Sequence, residues 1–283
     1  MISRRRLLEL LAAGAAIGPA LGRSTAAAGN QQLSGHGRDC GGSLQDLRLE
    51  WRASPVGIDT RRPRFTWTLS ADPTLRGVRQ SACQAILASS EDAVKAGHGD
   101  VWDSGVLETG ELRAEPIHDL DLQSHRPYWY AVRTWDERGR TSGFTRPARF
   151  ITGFMSPGEW RAQWISDGPD WPNHPLPPPA FNRSPPAVPR RMPLFRRQLR
   201  IERALARAIV SVCGLGQYEL HINGRRAGTG VLNPGWTNYR RTVLYDTFEV
   251  TPLLSQGANA LGVMLGNGFF NVEKYPGRYT KLV

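Results

Sequence analysis

Lysine is nearly missing from this chain: Lys95, Lys274 and Lys281 are its only lysines, although Lys and Arg together number 36 in 283 residues and the formal net charge is +11. A charge of that size raises nucleic acid as a partner. The arginines, however, are scattered between apolar runs, with no dense basic tract beyond the N-terminus. The excess therefore reads as solvated faces, and nucleic-acid binding is not expected. Cysteine is equally scarce. Cys40, Cys83 and Cys213 are an odd number and cannot form a closed disulfide framework. Cys83 and Cys213 sit in strand-like apolar runs, where a free cysteine acts as a small buried hydrophobe. No CxxC pair exists and the six histidines show no ligand spacing, so zinc is unsupported. No residue is assigned to catalysis or to a metal.

Long apolar runs are missing too. The stretch up to Leu21 is broken by Glu9, Gly14, Gly18 and Pro19, which leaves it short of the ~20 residues a membrane span needs. Its start, Ser3-Arg4-Arg5-Arg6-Leu7-Leu8, is a twin-arginine pattern, and Ala26-Ala27-Ala28 fits small-residue cleavage. Residues 1–28 are expected to be a signal peptide that exports the folded chain to the periplasm or beyond, with no membrane span in the mature form. Residues 29–43, polar and rich in glycine, read as a flexible leader.

The length suggests two domains, and nine tryptophans among many short strand-like runs favour an all-β chain. The first domain, 44–153, carries Leu47–Trp51, Arg64–Leu69 and Ser81–Ala88, separated by the turn clusters Ser54-Pro55-Val56-Gly57 and Asp72-Pro73. Further runs are Asp100–Val106, Leu112–Ile117, Tyr128–Trp135 and Ala148–Thr152. Seven short strands with an aromatic-rich penultimate one predict a fibronectin III or immunoglobulin-like sandwich, with Tyr128 as its corner tyrosine. The stripe of Tyr128, Trp129, Tyr130 and Trp135 reads as core packing, because alternation is what a half-buried strand requires. Residues 154–193 form a proline-rich linker or insertion, in which Trp160–Ile165 reads as a short strand or packing clip.

The second domain, 194–283, opens with Leu194–Ile201 and continues with Ala204–Cys213, an apolar run suited to a buried strand. Gly214-Leu215-Gly216 breaks it and is not a dinucleotide fingerprint, since the third glycine is missing. Tyr218, Leu220 and Ile222 alternate with polar residues and meet Asn223-Gly224, the dipeptide that favours a type I′ turn, so Arg225–Ala227 is expected to return as the second strand of a hairpin. Strands from Thr242 to Val250 and from Asn259 to Leu265 follow, giving a jelly-roll-like order whose strand set is incomplete at the C-terminus.

Between the hairpin and those strands, Asn233-Pro234-Gly235 leads into Trp236, Thr237, Asn238 and Tyr239. Sugars are held by aromatic faces against C–H groups and by planar amides against hydroxyls. The candidate carbohydrate-binding residues are therefore Trp236 as a stacking platform, Asn238 and Asn267 as hydroxyl or cation partners, and Tyr239 as a cap. A second reading has Trp236 pinning its loop to the core and Gly266-Asn267-Gly268 making a tight turn.

The segments LRLEWRASPVGIDTRRPRFTWTLS, VWDSGVL, YWYAVRTWDERG, EWRAQWI, GLGQYELHINGRRAG, LNPGWTNYRR, YDTFEVTPLL and LGNGFFN, in that order, resemble the N-terminal region of bacterial α-L-rhamnosidases, large multidomain glycoside hydrolases. The resemblance implies a fibronectin-like module followed by a jelly-roll module that assists substrate recognition, truncated before an (α/α) catalytic toroid. It implies an inverting glycosidase, rhamnose-containing glycans or glycosides as partners, and in some members calcium at a comparable sandwich. No residue here matches the catalytic carboxylates of that toroid, and no calcium ligand or other cofactor is assigned. The chain is expected to be the non-catalytic, substrate-recognition part of such an enzyme and inactive alone. The alternative is a standalone exported carbohydrate-binding or adhesion module.

Overall fold

Alternation of apolar and polar residues, punctuated by Gly, Pro and Asn turns, makes this chain fold almost entirely as strands. The computed structural model describes residues 42–166, 192–239, 241–268 and 270. The expected signal peptide, Cys40, most of the leader, residues 167–191 of the linker and residues 271–283 lie outside them. The described residues fall into two compact units that divide after Trp160.

The first unit contains strands β1 (Gly42–Leu49), β2 (Val56–Ile58), β3 (Phe65–Ala71), β4 (Gln80–Ala88), β5 (Trp102–Asp103), β6 (Arg113–Ala114), β7 (Pro127–Asp136) and β8 (Ala148–Thr152), with a short helix α1 (Glu91–Lys95) after β4. They form a three-stranded sheet, β1-β3-β6, and a five-stranded sheet, β2-β8-β7-β4-β5. All pairings are antiparallel except β2 with β8. Both sheets contribute to one core: Leu44, Leu47, Leu49, Phe65 and Trp67 from the first, Cys83, Leu87, Tyr130, Val132 and Phe150 from the second. This is the immunoglobulin-like sandwich the spacing predicted.

The aromatic strand β7 packs as expected at Tyr128 and Tyr130, whereas Trp135 is only half-buried and lies 4.9 Å from the Arg133 guanidinium rather than in the core. Tyr128 and Tyr130 face the core, where Tyr130 packs against Phe65 at 5.1 Å between ring centroids. The Tyr128 hydroxyl accepts a hydrogen bond from the Gln123 backbone N–H at 2.9 Å, which closes the corner before the strand. Trp67 donates from its indole to Gln80 Oε1 at 3.0 Å, and the Gln80 amide donates in turn to the carbonyls of Thr109 and Glu111, so this buried amide is satisfied. Burial of β4 is nearly continuous rather than alternating. Its outward residues Ile86 and Ala88 are covered by Val94 of α1 and join Ala131 in a satellite cluster with Trp129 and Phe144.

Several sequence expectations are corrected here. Gly42 and Ser43 belong to β1 rather than to a leader. The strand stops at Leu49, and Glu50 and Trp51 form a turn with φ of 47° and 60°. Val56 and Gly57, read as turn residues, begin β2, which gains its hydrogen bonds from the distant β8. The runs at Asp100–Val106 and Leu112–Ile117 shrink to the two-residue strands β5 and β6. Trp160 packs edge-on against Phe154 at 5.1 Å, as a clip, but Trp164 and Ile165 are exposed and in no strand.

The second unit contains β9 (Leu194–Ile201), β10 (Ile209–Cys213), β11 (Tyr218–Ile222), β12 (Arg225–Arg226), β13 (Tyr245–Glu249) and β14 (Gly257–Leu265). A four-stranded antiparallel sheet, β12-β11-β14-β9, and a two-stranded one, β10-β13, enclose a core of Val210, Tyr218, Leu220, Ile222, Val250 and Leu261. The run Ala204–Cys213 is not one buried strand. Residues 204–206 are exposed coil, and only one face of β10 turns inward. Likewise Thr242–Leu244 precede β13 rather than belonging to it.

The hairpin stands where it was expected. Asn223 and Gly224 have φ of 51° and 79°, the positive values a type I′ turn requires. Asn223 also does what no local rule foresees. Its side chain donates to the Leu253 carbonyl at 2.9 Å and to Asn259 Oδ1 at 2.8 Å, and accepts from the Ala260 N–H at 2.9 Å. The turn is thereby tied to β14.

Candidate carbohydrate-binding site

The loop joining β12 to β13 is pinned from within by small and polar residues. Gly228, at φ 75°, lies so close to the Phe248 ring that an added Cβ would stand 2.6 Å from it. Asn233 accepts a hydrogen bond from the Tyr218 N–H through its carbonyl at 2.7 Å. Pro234 is buried. The anchor of this loop is therefore the Asn233-Pro234 pair at the start of β11. Trp236, two residues on, is 56 % exposed and lies outside the core cluster.

Beyond Trp236 the chain turns back on itself. Thr237 Oγ1 donates to the Thr242 carbonyl, and the Asn238 carbonyl accepts from the N–H groups of Arg241 and Thr242 at 2.8 and 3.0 Å. This closed turn leaves Asn238 exposed. Tyr239 is half-buried and meets the Phe270 ring edge-on, with centroids 5.5 Å apart and planes at 88°. Burial pushes its phenol pKa upward.

Asn267 is presented by a turn that only glycine permits. Gly266 donates to the Gln217 carbonyl at 2.7 Å, and a Cβ on Gly268 (φ 52°) would stand 2.9 Å from the Gln217 nitrogen. Gly216 faces the same turn, with the Gly266 oxygen 2.2 Å from where its Cβ would be. Two glycine-bearing turns are thus pressed together, and side chains on either would force them apart. Segments 214–218, 233–239 and 266–268, with Phe270, converge at this end of the sandwich. Tyr239 is brought to Phe270, three residues past Asn267, and Asn233, three residues before Trp236, is fixed to Tyr218.

A polar link at this end was not foreseen in the sequence. Tyr218 donates from its hydroxyl to Asp246 Oδ2 at 2.7 Å. Burial, and then Asp246, push the phenol far above its ordinary pKa. Cys213, on β10 beside it, has its thiol pushed up to about 11 by burial and by Asp246. The only sequence signal was an aspartate inside an otherwise strand-like run, YDTFEV, which alternation alone assigns to a solvated face.

Calcium takes six to eight oxygen ligands, usually including several carboxylates. Among the described residues no three His, Cys, Asp or Glu side chains gather as ligands. Asp246 is already engaged by Tyr218. The described residues therefore do not fit such a cage. What the loops do offer is an exposed indole, exposed and half-buried amides and a phenol. That set suits a neutral polyhydroxy ring rather than an ion.

Residues 44–156 match the family model described as the Rha78A-like N-terminal immunoglobulin domain, and residues 203–282 match the α-L-rhamnosidase N-terminal domain. An α-L-rhamnosidase of Formosa agariphila is 29 % identical over 237 residues, covering 78 % of this chain and 24 % of that protein. One from Streptomyces avermitilis is 30 % identical over 231 residues, covering 77 % and 21 %. The solved α-L-rhamnosidase of Dictyoglumus thermophilum superposes with a TM-score of 0.69 at 34 % identity, over 84 % of this chain and 25 % of that one. That of Aspergillus terreus gives 0.59 at 26 % identity, over 81 % and 24 %. The two matches follow one another along the chain, the immunoglobulin-domain model first and the α-L-rhamnosidase N-terminal domain model second. The chain spans about a quarter of the length of the relatives it matches.

Proposed function

We propose that this chain is the non-catalytic, substrate-recognition part of an α-L-rhamnosidase that releases terminal non-reducing α-L-rhamnose from glycosides or polysaccharides. The observation that carries the reading is the ordered pair of N-terminal family matches, within a likeness that covers about a quarter of the relatives' length. Inverting hydrolysis needs an acid on the leaving oxygen and a base activating water on the opposite face, two carboxylates about 6.5–9.5 Å apart across a sugar. No carboxylate pair of this chain is assigned to that work.

In this reading the β12–β13 loop and the turn after β14 hold the sugar. Trp236 stacks on the ring, Asn238 and Asn267 bond hydroxyls, and Tyr239, backed by Phe270, closes one side. The twin-arginine pattern at Arg4-Arg5 supports export of the folded chain before it meets such glycans. Among the described residues no helix is long and apolar enough to cross a membrane.

The test is a pair of assays on the 283-residue chain. A chromogenic α-L-rhamnoside should release no chromophore, and calorimetry should detect binding of L-rhamnose or a rhamnosylated glycan. Turnover would contradict the non-catalytic half of the reading, and a flat titration the recognition half.

A further inference from the structure

Among the described residues the same two-residue turn occurs at two places, once with favourable residues and once without. At Asn223-Gly224 the positive φ values fall on the residues that adopt them most readily. At Glu50-Trp51 the φ values are 47° and 60°, and Leu49 and Arg52 exchange both backbone hydrogen bonds at 3.0 Å, so the geometry is again that of a type I′ turn. Here it falls on a glutamate and a tryptophan, neither of which favours the left-handed region. Local folding preference does not account for a tryptophan at this place.

Nor does packing account for it. Trp51 is 57 % exposed and contributes nothing to the core of its unit. It is nevertheless held firmly. The Arg64 guanidinium lies 4.1 Å from the centroid of the indole. That guanidinium is itself fixed by Glu50, through Nη2 to Oε2 at 2.7 Å and Nε to Oε1 at 3.2 Å, while the Arg64 N–H donates to the same carboxylate at 2.8 Å. The carbonyl of Trp51 accepts from Arg48 Nη1 at 3.1 Å, and Arg48 is paired with Asp46 at 2.8 Å. Ring and backbone are each held by an arginine, and each arginine by a carboxylate. One face of the indole is backed by Arg64, and more than half of the residue remains in solvent.

A rigid, outward indole kept in an unfavourable backbone conformation is a binding feature rather than a folding one. Its surroundings identify the ligand. Protein interfaces are depleted of charge at their centres, whereas Trp51 stands alone among Asp46, Arg48, Glu50 and Arg64. A pyranose matches that setting, because its C–H face seats on an aromatic ring while its rim of hydroxyls meets guanidinium and carboxylate groups.

We propose that Trp51, with Arg64 and Glu50 behind it, is a second carbohydrate-contact site, on the immunoglobulin-like unit and separate from the Trp236 loop. The choice of a rhamnose-bearing glycan as ligand rests on the function proposed above; the position of the site does not. It stacks on a sugar residue of the glycan.

The test uses the full chain with its nine tryptophans labelled at the indole nitrogen, and assigns two cross-peaks by the variants Trp51→Phe and Trp236→Phe. A rhamnose-containing oligosaccharide is then titrated. The Trp51 indole signal should shift in a saturable way. The companion variant is Trp51→Gly, which suits the turn, so its melting temperature should stay level or rise while affinity for the oligosaccharide falls about three- to tenfold. An unmoved Trp51 signal at saturation, or unchanged affinity in Trp51→Gly, overturns the proposal. If Trp236 responds and Trp51 does not, only this site fails. If neither responds, the recognition reading fails with it. Shifts at Trp51 produced by a protein partner and not by sugar would also overturn it.

Discussion

The hydroxyl of Tyr218 on β11 reaches across the second sandwich to Asp246 on β13 and donates to its carboxylate at 2.7 Å. The two sheets that frame the candidate site are thus joined by a charge-assisted hydrogen bond, the stronger kind. Tyr218→Phe removes the donor and leaves a half-buried carboxylate under-satisfied. It should lower stability by about 1.5–3 kcal/mol in urea unfolding. Asp246→Asn, which still accepts, should cost less. Equal losses from both would show that the link contributes little.

The thiol of Cys83 is fully buried, and its pKa is pushed by that burial from 9.0 to about 11. Above pH 9 the unfolded chain gives up this proton before the folded one does, so the unfolded state binds fewer protons and stability falls as pH rises. The contribution is complete below pH 9 and is lost as pH climbs through about 11. Two pH units correspond to on the order of 2–3 kcal/mol. Thermal melts between pH 8 and 11.5 should show this fall, and Cys83→Ala should make it shallower, leaving the share that Cys213 and the buried phenols contribute. An identical slope in the variant would assign the fall to other groups.

Tyr130 is buried in the first sandwich and its hydroxyl has no hydrogen-bond partner among the described residues. Burying an unpaired hydroxyl is costly, and burial raises this phenol's pKa well above its ordinary value. Tyr130→Phe should therefore leave stability unchanged or raise it by about 1 kcal/mol. A loss of more than about 1 kcal/mol in urea unfolding would mean that the hydroxyl has a bound partner.

Trp236 and Pro234 stand two residues apart and differ in burial, which separates binding from folding. Trp236→Ala should weaken rhamnose binding about tenfold with little change in melting temperature, as expected when an exposed stacking ring is lost. Pro234→Ala, at a buried position, should lower the melting temperature first. Calorimetry and thermal melts on both variants decide the matter: a large melting loss with unchanged affinity in Trp236→Ala would return this ring to a structural role.

The features legible in the sequence were local ones. Period-two alternation marked Tyr218–Ile222, and Asn223-Gly224 marked the turn, because strand faces and left-handed turns depend on residues within reach of one another. Corner chemistry at Tyr128 was legible for the same reason. In the candidate site the loop and its aromatic and amide content were visible, but the pairing of Tyr239 with Phe270 was not.

The errors were non-local. Val56 and Gly57 look like part of a turn until β8, almost a hundred residues on, pairs with them as the start of β2. Ala204–Cys213 looks like one buried strand, yet only the portion opposite β13 finds hydrogen-bond partners there. Glu50-Trp51 looks like the end of a strand, since nothing local predicts positive φ at a glutamate and a tryptophan; Arg64, brought in by β3, holds them there.

The sequence by itself determined an all-β chain of two sandwiches and its kinship with the α-L-rhamnosidases, because strand periodicity, turn residues and motif order are written along the chain. Only the tertiary structure decided which tryptophans pack and which face solvent. Burial depends on what the rest of the fold brings opposite each ring: Phe65 and Phe150 for Tyr130, the core of the first sandwich for Trp67, and a single arginine for Trp51.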